Sequence, residues 1–347
     1  MQDRRSVARN TGLIVLAFVA TLILLAGLVL VVNGNAPPSA GDGSVAPSDG
    51  PSETAGASLE SPGPPGSASP APTAPASATP SADDPVFVGA GDIGDCNKDD
   101  DSATSALLDD IPGTVFTLGD NAYPDGSAAA YEDCYDPTWG RHKQRTRPIP
   151  GNHDYHTKGA SAYLDYFGDA AVNADGDPWY SYDLGEWHII ALDSECEETN
   201  DCVPNSRQGR WLRADLAASQ SMCTLAMWHV PRFSSGFHGN DNDLDDFWKI
   251  LYDAGADVIV NGHDHDYERF APQNPDAVED RVRGIREFVA GTGGTTLRPF
   301  EKLAANSELR AAGIYGVLKF TLHPSTYEWQ FIPTTGEFSD SGGAHCH

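Results

Sequence analysis

Between residues 85 and 347 the hydrophobic positions fall into short continuous runs. Val86-Phe-Val-Gly-Ala, Thr114-Val-Phe-Thr-Leu, Cys223-Thr-Leu-Ala-Met-Trp and Asp257-Val-Ile-Val-Asn are the clearest, and Arg147-Pro-Ile-Pro is a shorter one. Runs of this length without alternation predict strands covered on both faces. Between them, Ala103 to Leu108, Arg207 to Ala217 and Leu244 to Tyr252 space their apolar residues as helices do. Alternating strands and helices predict an α/β fold with helices outside the sheet. Two further pairs of runs read as hairpins. Trp179–Asp183 and Trp187–Asp193 are joined across Leu184-Gly-Glu, and Gly316–Leu322 is followed closely by Tyr327–Ile332. That antiparallel ending predicts two packed mixed β-sheets flanked by helices, not one open parallel sheet.

The first 84 residues show other patterns. Residues 1–11 carry Arg4, Arg5 and Arg9, and Gly12 to Val32 then runs for 21 positions without a charge. As a helix, that run spans about 30 Å, the thickness of a bilayer core. The preceding arginines favour a cytoplasmic N-terminus and export of the chain beyond the run. The expectation is a transmembrane signal-anchor over 12–32, with a cleaved signal peptide as the competing reading. Residues 33–84 are almost entirely Pro, Ser, Ala, Gly and Thr. They cannot bury enough apolar surface to fold, and read as a disordered tether. The remaining 85–347 is expected to be one globular domain, exported and anchored, or secreted if the anchor is cut.

Charge narrows the function. In 347 residues, 22 Lys and Arg face 50 Asp and Glu, for a formal net charge of −28. So acidic a surface repels phosphate backbones and excludes a nucleic-acid-binding role built on a basic patch. Phosphate chemistry would need local positive charge, which bound metal supplies. The six cysteines all lie in the exported part, and in an oxidising compartment an even number reads as disulfides. Cys196 and Cys202 flank a short polar loop and are the expected pair. Cys346 reads as a disulfide-tethered end of the tail.

Each apolar run leads into residues that can bind metal. The run at 86 leads to Gly91-Asp92-Ile93-Gly94, the run at 114 to Gly119-Asp120-Asn121-Ala122-Tyr123, and the run at 147 to Gly151-Asn152-His153-Asp154. The run at 223 leads to His229, and that at 257 to Gly262-His263-Asp264-His265. In α/β sheets, sites lie beyond the carboxyl ends of the strands, and the glycines suit sharp turns there. A single such turn is as readily structural as functional; the recurrence makes the case. Asp92, Asp120, Tyr123, Asn152, His229, His263 and His265 offer hard oxygen and borderline nitrogen donors, which suit iron, manganese or zinc. Seven are too many for one tetrahedral zinc and fit two ions sharing a carboxylate.

In this order the motifs GD-x-G, GD-x-x-Y, GNH-D, an isolated His and GH-x-H-x-YER resemble the calcineurin-like metallophosphoesterases, and among them most closely the purple acid phosphatases. The motifs cover residues 86–269. The resemblance implies a four-layer αββα sandwich. It implies that Asp92, Asp120, Tyr123 and His265 hold Fe(III), that Asp120 bridges, and that Asn152, His229 and His263 complete a site for Fe(II), Zn(II) or Mn(II). Tyr123 would give a charge-transfer colour. His153 would contact the substrate phosphate and help protonate the leaving group, and His238 is the other expected substrate contact. One departure is that V-x-x-H reads Ala226-Met-Trp-His229 here. Another is that the tether stands where the large plant-type enzymes carry a β-sandwich, which implies a minimal catalytic domain.

The expected activity is hydrolysis of small phosphate monoesters by in-line attack of a metal-held hydroxide. The alternatives are a phosphodiesterase or nucleotidase on the same core, or a metal-containing surface protein without catalysis. No protein partner can be inferred, and membrane contact is expected through the N-terminal helix alone. Glu268 and Arg269 read as a structural ion pair, and His142 and His156 as surface residues. The basic run Arg141 to Arg147 reads as a solvated helix face, and Arg232 as a weaker candidate for substrate contact.

Overall fold

The computed structural model describes residues 84–347. The predicted anchor at 12–32 and the tether up to residue 83 lie outside the described residues. Among those described, no helix is long and apolar enough to cross a membrane.

Two mixed sheets form the centre. The first runs, in spatial order, Asp340–His345, Thr326–Pro333, Gly316–Leu322, Val86–Ala90, Thr114–Thr117, Thr146–Arg147. The second runs Ser307–Ala311, Tyr267–Phe270, Arg286–Ala290, Val258–Asn261, Cys223–Met227, Trp187–Ala191, Tyr180–Leu184. In the first sheet Val86–Ala90, Thr114–Thr117 and Thr146–Arg147 run parallel and the other strands pair antiparallel; in the second, the four central strands from Arg286–Ala290 to Trp187–Ala191 run parallel and both edges are antiparallel.

Side-chain alternation explains the layering. Phe87, Phe116, Leu318 and Phe320 pack with Ile189, Leu225, Val260 and Phe288 of the second sheet. Their neighbours Val88, Val115 and Val317 point to the other face and meet Leu108, Tyr131, Tyr135, Trp139 and Phe167. Both faces of the first sheet are therefore covered, as the unbroken apolar runs require.

Helix Asp100–Asp110 covers that outer face, with Asp100 and Asp101 in its first turn, where the helix dipole favours negative charge. Its last carbonyls are met by Arg145, whose guanidinium donates to Leu108, Ile111 and Gly113 at 2.6, 2.9 and 2.9 Å. Arg141 pairs with Asp109 on the same helix. The basic run is thus a helix fastener, not merely a solvated face. His142, expected at the surface, is buried against the Ser105 carbonyl at 3.2 Å. Helices Arg207–Ala218 and Asp245–Ala254 supply Leu212, Phe247, Trp248 and Leu251 to the core that includes the second sheet. Ser206 caps the former by accepting from Gly209 N, and Gly255 at φ 79° ends the latter.

The predicted run Arg147–Pro150 pairs only at Thr146–Arg147, because Pro148 and Pro150 have no N–H to give a ladder. The strand Asp340–His345, sequence DSGGAH, has no apolar signature; it forms by pairing along Thr326–Pro333. Three disulfides join Cys96–Cys134, Cys196–Cys202 and Cys223–Cys346.

Candidate metal centre

The parallel strands of both sheets end at one edge. Asp92, Asp120 and Asn152 follow strands of the first sheet, and His229, His263 and His265 follow strands of the second. Three of these residues sit in the left-handed region that non-glycine residues avoid: Asp92 at φ 61°, Asp120 at φ 49° and His263 at φ 67°. Such strain persists only where the surroundings impose it, and it clusters at functional sites. The preceding glycines make room for it. A Cβ on Gly151 would strike the backbone and carboxylate of Asp120, and one on Gly119, itself at φ 81°, would strike the His229 ring. These glycines permit close approach between the donor residues themselves.

All seven predicted donors converge, in two sets. In one, Tyr123 Oη lies 2.8 Å from Asp120 Oδ2, 3.0 Å from Asp92 Oδ1 and 3.2 Å from His265 Nε2. His265 Nε2 is 3.3 Å from Asp92 Oδ1. In the other, His229 Nε2 lies 3.4 Å from Asp120 Oδ1, 3.2 Å from Asn152 Oδ1 and 3.2 Å from His263 Nδ1. Asp120 thus turns one oxygen to each set. Donors about 2.0–2.2 Å from a common ion stand roughly 3 Å apart, so both sets fit a metal.

Contacts behind the donors fix their orientation. The Nδ1–H of His229 donates to the Leu118 carbonyl at 2.6 Å, and that of His265 to the Thr296 carbonyl at 2.7 Å. Each ring therefore presents Nε2 to its set. The backbone N–H of His153 donates to Asp120 Oδ1 at 2.8 Å, and that of His263 to Asp92 Oδ2 at 2.9 Å. Asp154 accepts from Gly151 N, Asn121 Nδ2 and Tyr131 Oη at 2.9, 3.0 and 2.6 Å, tying the GNHD turn to the GDNAY turn. The motif strings contain Asp154 and Asn121 without disclosing this role.

The electrostatics ask for positive charge. Burial would raise both carboxyls, yet His265 and His229 hold Asp92 below the usual carboxylate range, and His229 and His153 do so for Asp120. Burial disfavours a charged His229, but Asp120, Asp92 and Glu195 outweigh it and push its pKa up to about 10. His263 goes down to about 3, through burial and then the neighbouring His229 and His238. Burial first, and then Asp120 and Asp92, push Tyr123 well above its ordinary value. Cations at the carboxylates would reverse that sign and favour a phenolate. Asp92, Asp120 and His229 form a fully buried group that could hold an ion.

His153 lies beside the first set, its ring centroid 4.3 Å from that of Tyr123 and its Nε2 3.8 Å from Asp120 Oδ2. His238 lies on the opposite rim, its ring 4.1 Å from that of His263 and its Nε2 3.4 Å from an Arg298 guanidinium nitrogen. The sequence reading missed Arg298, which reaches the rim from a loop with no periodic signal. It also missed Glu195, although the run Trp187–Ala191 leads into Asp193-Ser-Glu much as the other runs lead into donors. Arg232 pairs with Asp245 and lies over the Phe233 ring, so it is a packing residue. Glu268 and Arg269 do not pair with each other: Glu268 takes Ser235 and Ser307, and Arg269 takes Asp340 and Glu308. Adjacent residues on a strand face opposite ways.

An uncharacterized protein of Mycobacterium tuberculosis (strain CDC 1551 / Oshkosh) is 30% identical over 187 residues, covering 43% of this chain and 35% of its own. Purple acid phosphatase 15 of Arabidopsis thaliana is 27% identical over 202 residues, covering 48% of this chain and 37% of its own. The chain thus spans about a third of the length of these curated relatives. The structure of purple acid phosphatase PPD1 from yellow lupin (Lupinus luteus) seeds superposes with a TM-score of 0.62 at 18% identity, over 76% of this chain and 54% of that one. That likeness concerns the fold, two mixed sheets flanked by helices. A dinuclear metal site is typical of such proteins. The family model for calcineurin-like phosphoesterases matches residues 86–267, more than half the chain and all seven converging donors, and the chain belongs to that family.

Proposed function

We propose that this protein is a dinuclear-metal phosphatase that acts outside the cytoplasm on phosphate monoesters. The observation that carries the reading is the division of the donors into two sets that share the Asp120 carboxylate. Asp92, Asp120, Tyr123 and His265 would hold one ion, Fe(III), and Asp120, Asn152, His229 and His263 the other, Fe(II), Zn(II) or Mn(II). When bound, the pair supplies positive charge that grips the phosphoryl group, acidifies a water and stabilises the departing oxygen.

The chain's own residues do the rest. His153 Nδ1 donates to the Pro124 carbonyl at 2.5 Å, which leaves Nε2 to face the substrate. In hydrolysis the water oxygen bonds to phosphorus and gives up one proton to solvent, the bond from phosphorus to the alcohol oxygen breaks, and that oxygen takes a proton from His153 Nε2. His238 and Arg298 add donors on the far rim. Export is supported by three disulfides, with no free cysteine among the described residues. It is supported also by the arginines and apolar run at the N-terminus.

Turnover of p-nitrophenyl phosphate by the purified protein is expected to disappear on metal chelation and to return on reconstitution. Turnover that survives stripping of both metals would end the proposal. A higher rate on bis(p-nitrophenyl) phosphate than on the monoester would replace the monoester reading with a diesterase. With iron bound, Tyr123→Phe is expected to lose the visible charge-transfer band. A band that survives at full metal content would reassign that ligand.

A further inference from the structure

Beside the second donor set the surface opens into a cavity of about 310 Å³, with Asn152 and His263 in its wall. Tyr155 and Val230 give it some apolar surface. The lining is markedly acidic: Glu195, Glu197, Glu198, Asp241 and Asp243 against two imidazoles, His156 and His263, with no Lys or Arg. Arg298, bonded to His238, is not among the lining residues.

Glu195 distinguishes this wall from an ordinary acidic surface. Glu195 is one of the lining residues, yet it is only 9% exposed. Its Oε1 is sealed from solvent and has no hydrogen-bond donor among the described residues. Its neighbours Asp154 and Asp193 are satisfied: Asp154 accepts from Tyr131, Asn121 and Gly151, and Asp193 from Tyr155 at 2.5 Å. The backbone that carries Glu195 is held firmly. Its N–H donates to Asp193 Oδ1 at 3.0 Å, Gln208 bonds the backbone of Asp193 in both directions, and the Cys196–Cys202 disulfide comes next in the chain. A buried carboxyl without a donor is costly unless something pairs with it. Burial, the largest influence on this one, raises it to about 8.

We propose that this cavity receives the alcohol portion of the substrate and that this portion is cationic, so that the substrates are phosphate monoesters of amino or quaternary-ammonium alcohols, with Glu195 pairing with the cationic head. This rests on the phosphatase reading and adds a substrate class to it. The phosphoryl group lies at the donors, with the ester oxygen and its alcohol directed past Asn152 into the cavity. A neutral alcohol leaves Glu195 unpaired, and an anionic one is repelled by Glu197, Glu198, Asp241 and Asp243.

The experiment compares kcat/KM for phosphocholine with that for its neutral isostere, 3,3-dimethylbutyl phosphate, on the metal-loaded full chain. The cationic ester is expected to be preferred by at least about tenfold, as for one hydrogen bond or ion pair to a charged group. Glu195→Gln should bring that ratio close to one. A binding readout accompanies it: choline titrated into the protein should bind about tenfold more weakly to Glu195→Gln. Should that variant fail to fold, Asp241→Asn with Asp243→Asn is used, and a clear fall in the ratio is expected. Equal rates for the two esters in the unmodified protein overturn the inference and leave the phosphatase reading standing. No turnover of either ester, nor of p-nitrophenyl phosphate, means that the phosphatase reading itself has failed. Calcium bound in the cavity in place of choline, lost in Glu195→Gln, assigns it to a metal and overturns the inference as well.

Discussion

Asp120→Asn is expected to lower phosphatase turnover by about a thousandfold or more and to leave the purified protein short of at least one metal per chain. Exchanging groups that merely support a metal ligand commonly costs about 10- to 100-fold, and Asp120 faces both donor sets. Its Oδ2 meets Tyr123 at 2.8 Å and its Oδ1 meets His229 at 3.4 Å. Asn has nearly the same shape, so the fold should survive, but it has one oxygen and no charge. The one carboxylate left among the donors, Asp92, cannot neutralise two cations. Elemental analysis read together with turnover decides the matter. Two metals per chain with turnover within tenfold of the unmodified protein would show that the bridge is not where the geometry puts it.

Removal of the Cys223–Cys346 disulfide is expected to destabilise the protein more than removal of either other. It closes a loop of 123 residues, against 38 and 6 for the others. Chain entropy assigns a loop of that size roughly 4–5 kcal/mol. For a domain of this size that is roughly 10–20 °C in midpoint. The placement adds a structural reason. Cys223 begins a strand of the second sheet, and Cys346 follows the edge strand Asp340–His345 of the first. The bond staples together the two sheets that jointly present the donors. Thermal melts of Cys223→Ala/Cys346→Ala would test it; a midpoint change of only a few degrees would reduce the bond to a fastening of the tail.

The seven donors were legible because the rule that locates them is local. A buried parallel strand reads as an apolar run, and the turn after it reads as glycine next to a carboxylate, amide or imidazole. The hairpins at 180–191 and 316–333 and the Cys196–Cys202 pair were legible for the same reason. Residues whose role depends on distant partners were not. Glu268 and Arg269 suggest an ion pair by adjacency, but the pleat turns them to different partners. His142 lies within a charged run and is buried all the same, because the run packs against the end of a helix some 30 positions earlier. The strand 340–345 exists because Thr326–Pro333 offers an unpaired edge.

The pattern of apolar runs and their terminal residues, by itself, determined the fold class and marked the candidate donors, and the order of the motifs pointed to the family, because strand burial and turn chemistry are written within a few consecutive residues. Only the tertiary structure decided how those donors divide into two sets around Asp120, which carboxylates and imidazoles back them, and that an unpaired Glu195 stands in a cavity beside them. Those facts are distances between side chains far apart in the chain, and they are fixed by the packing of one sheet against the other.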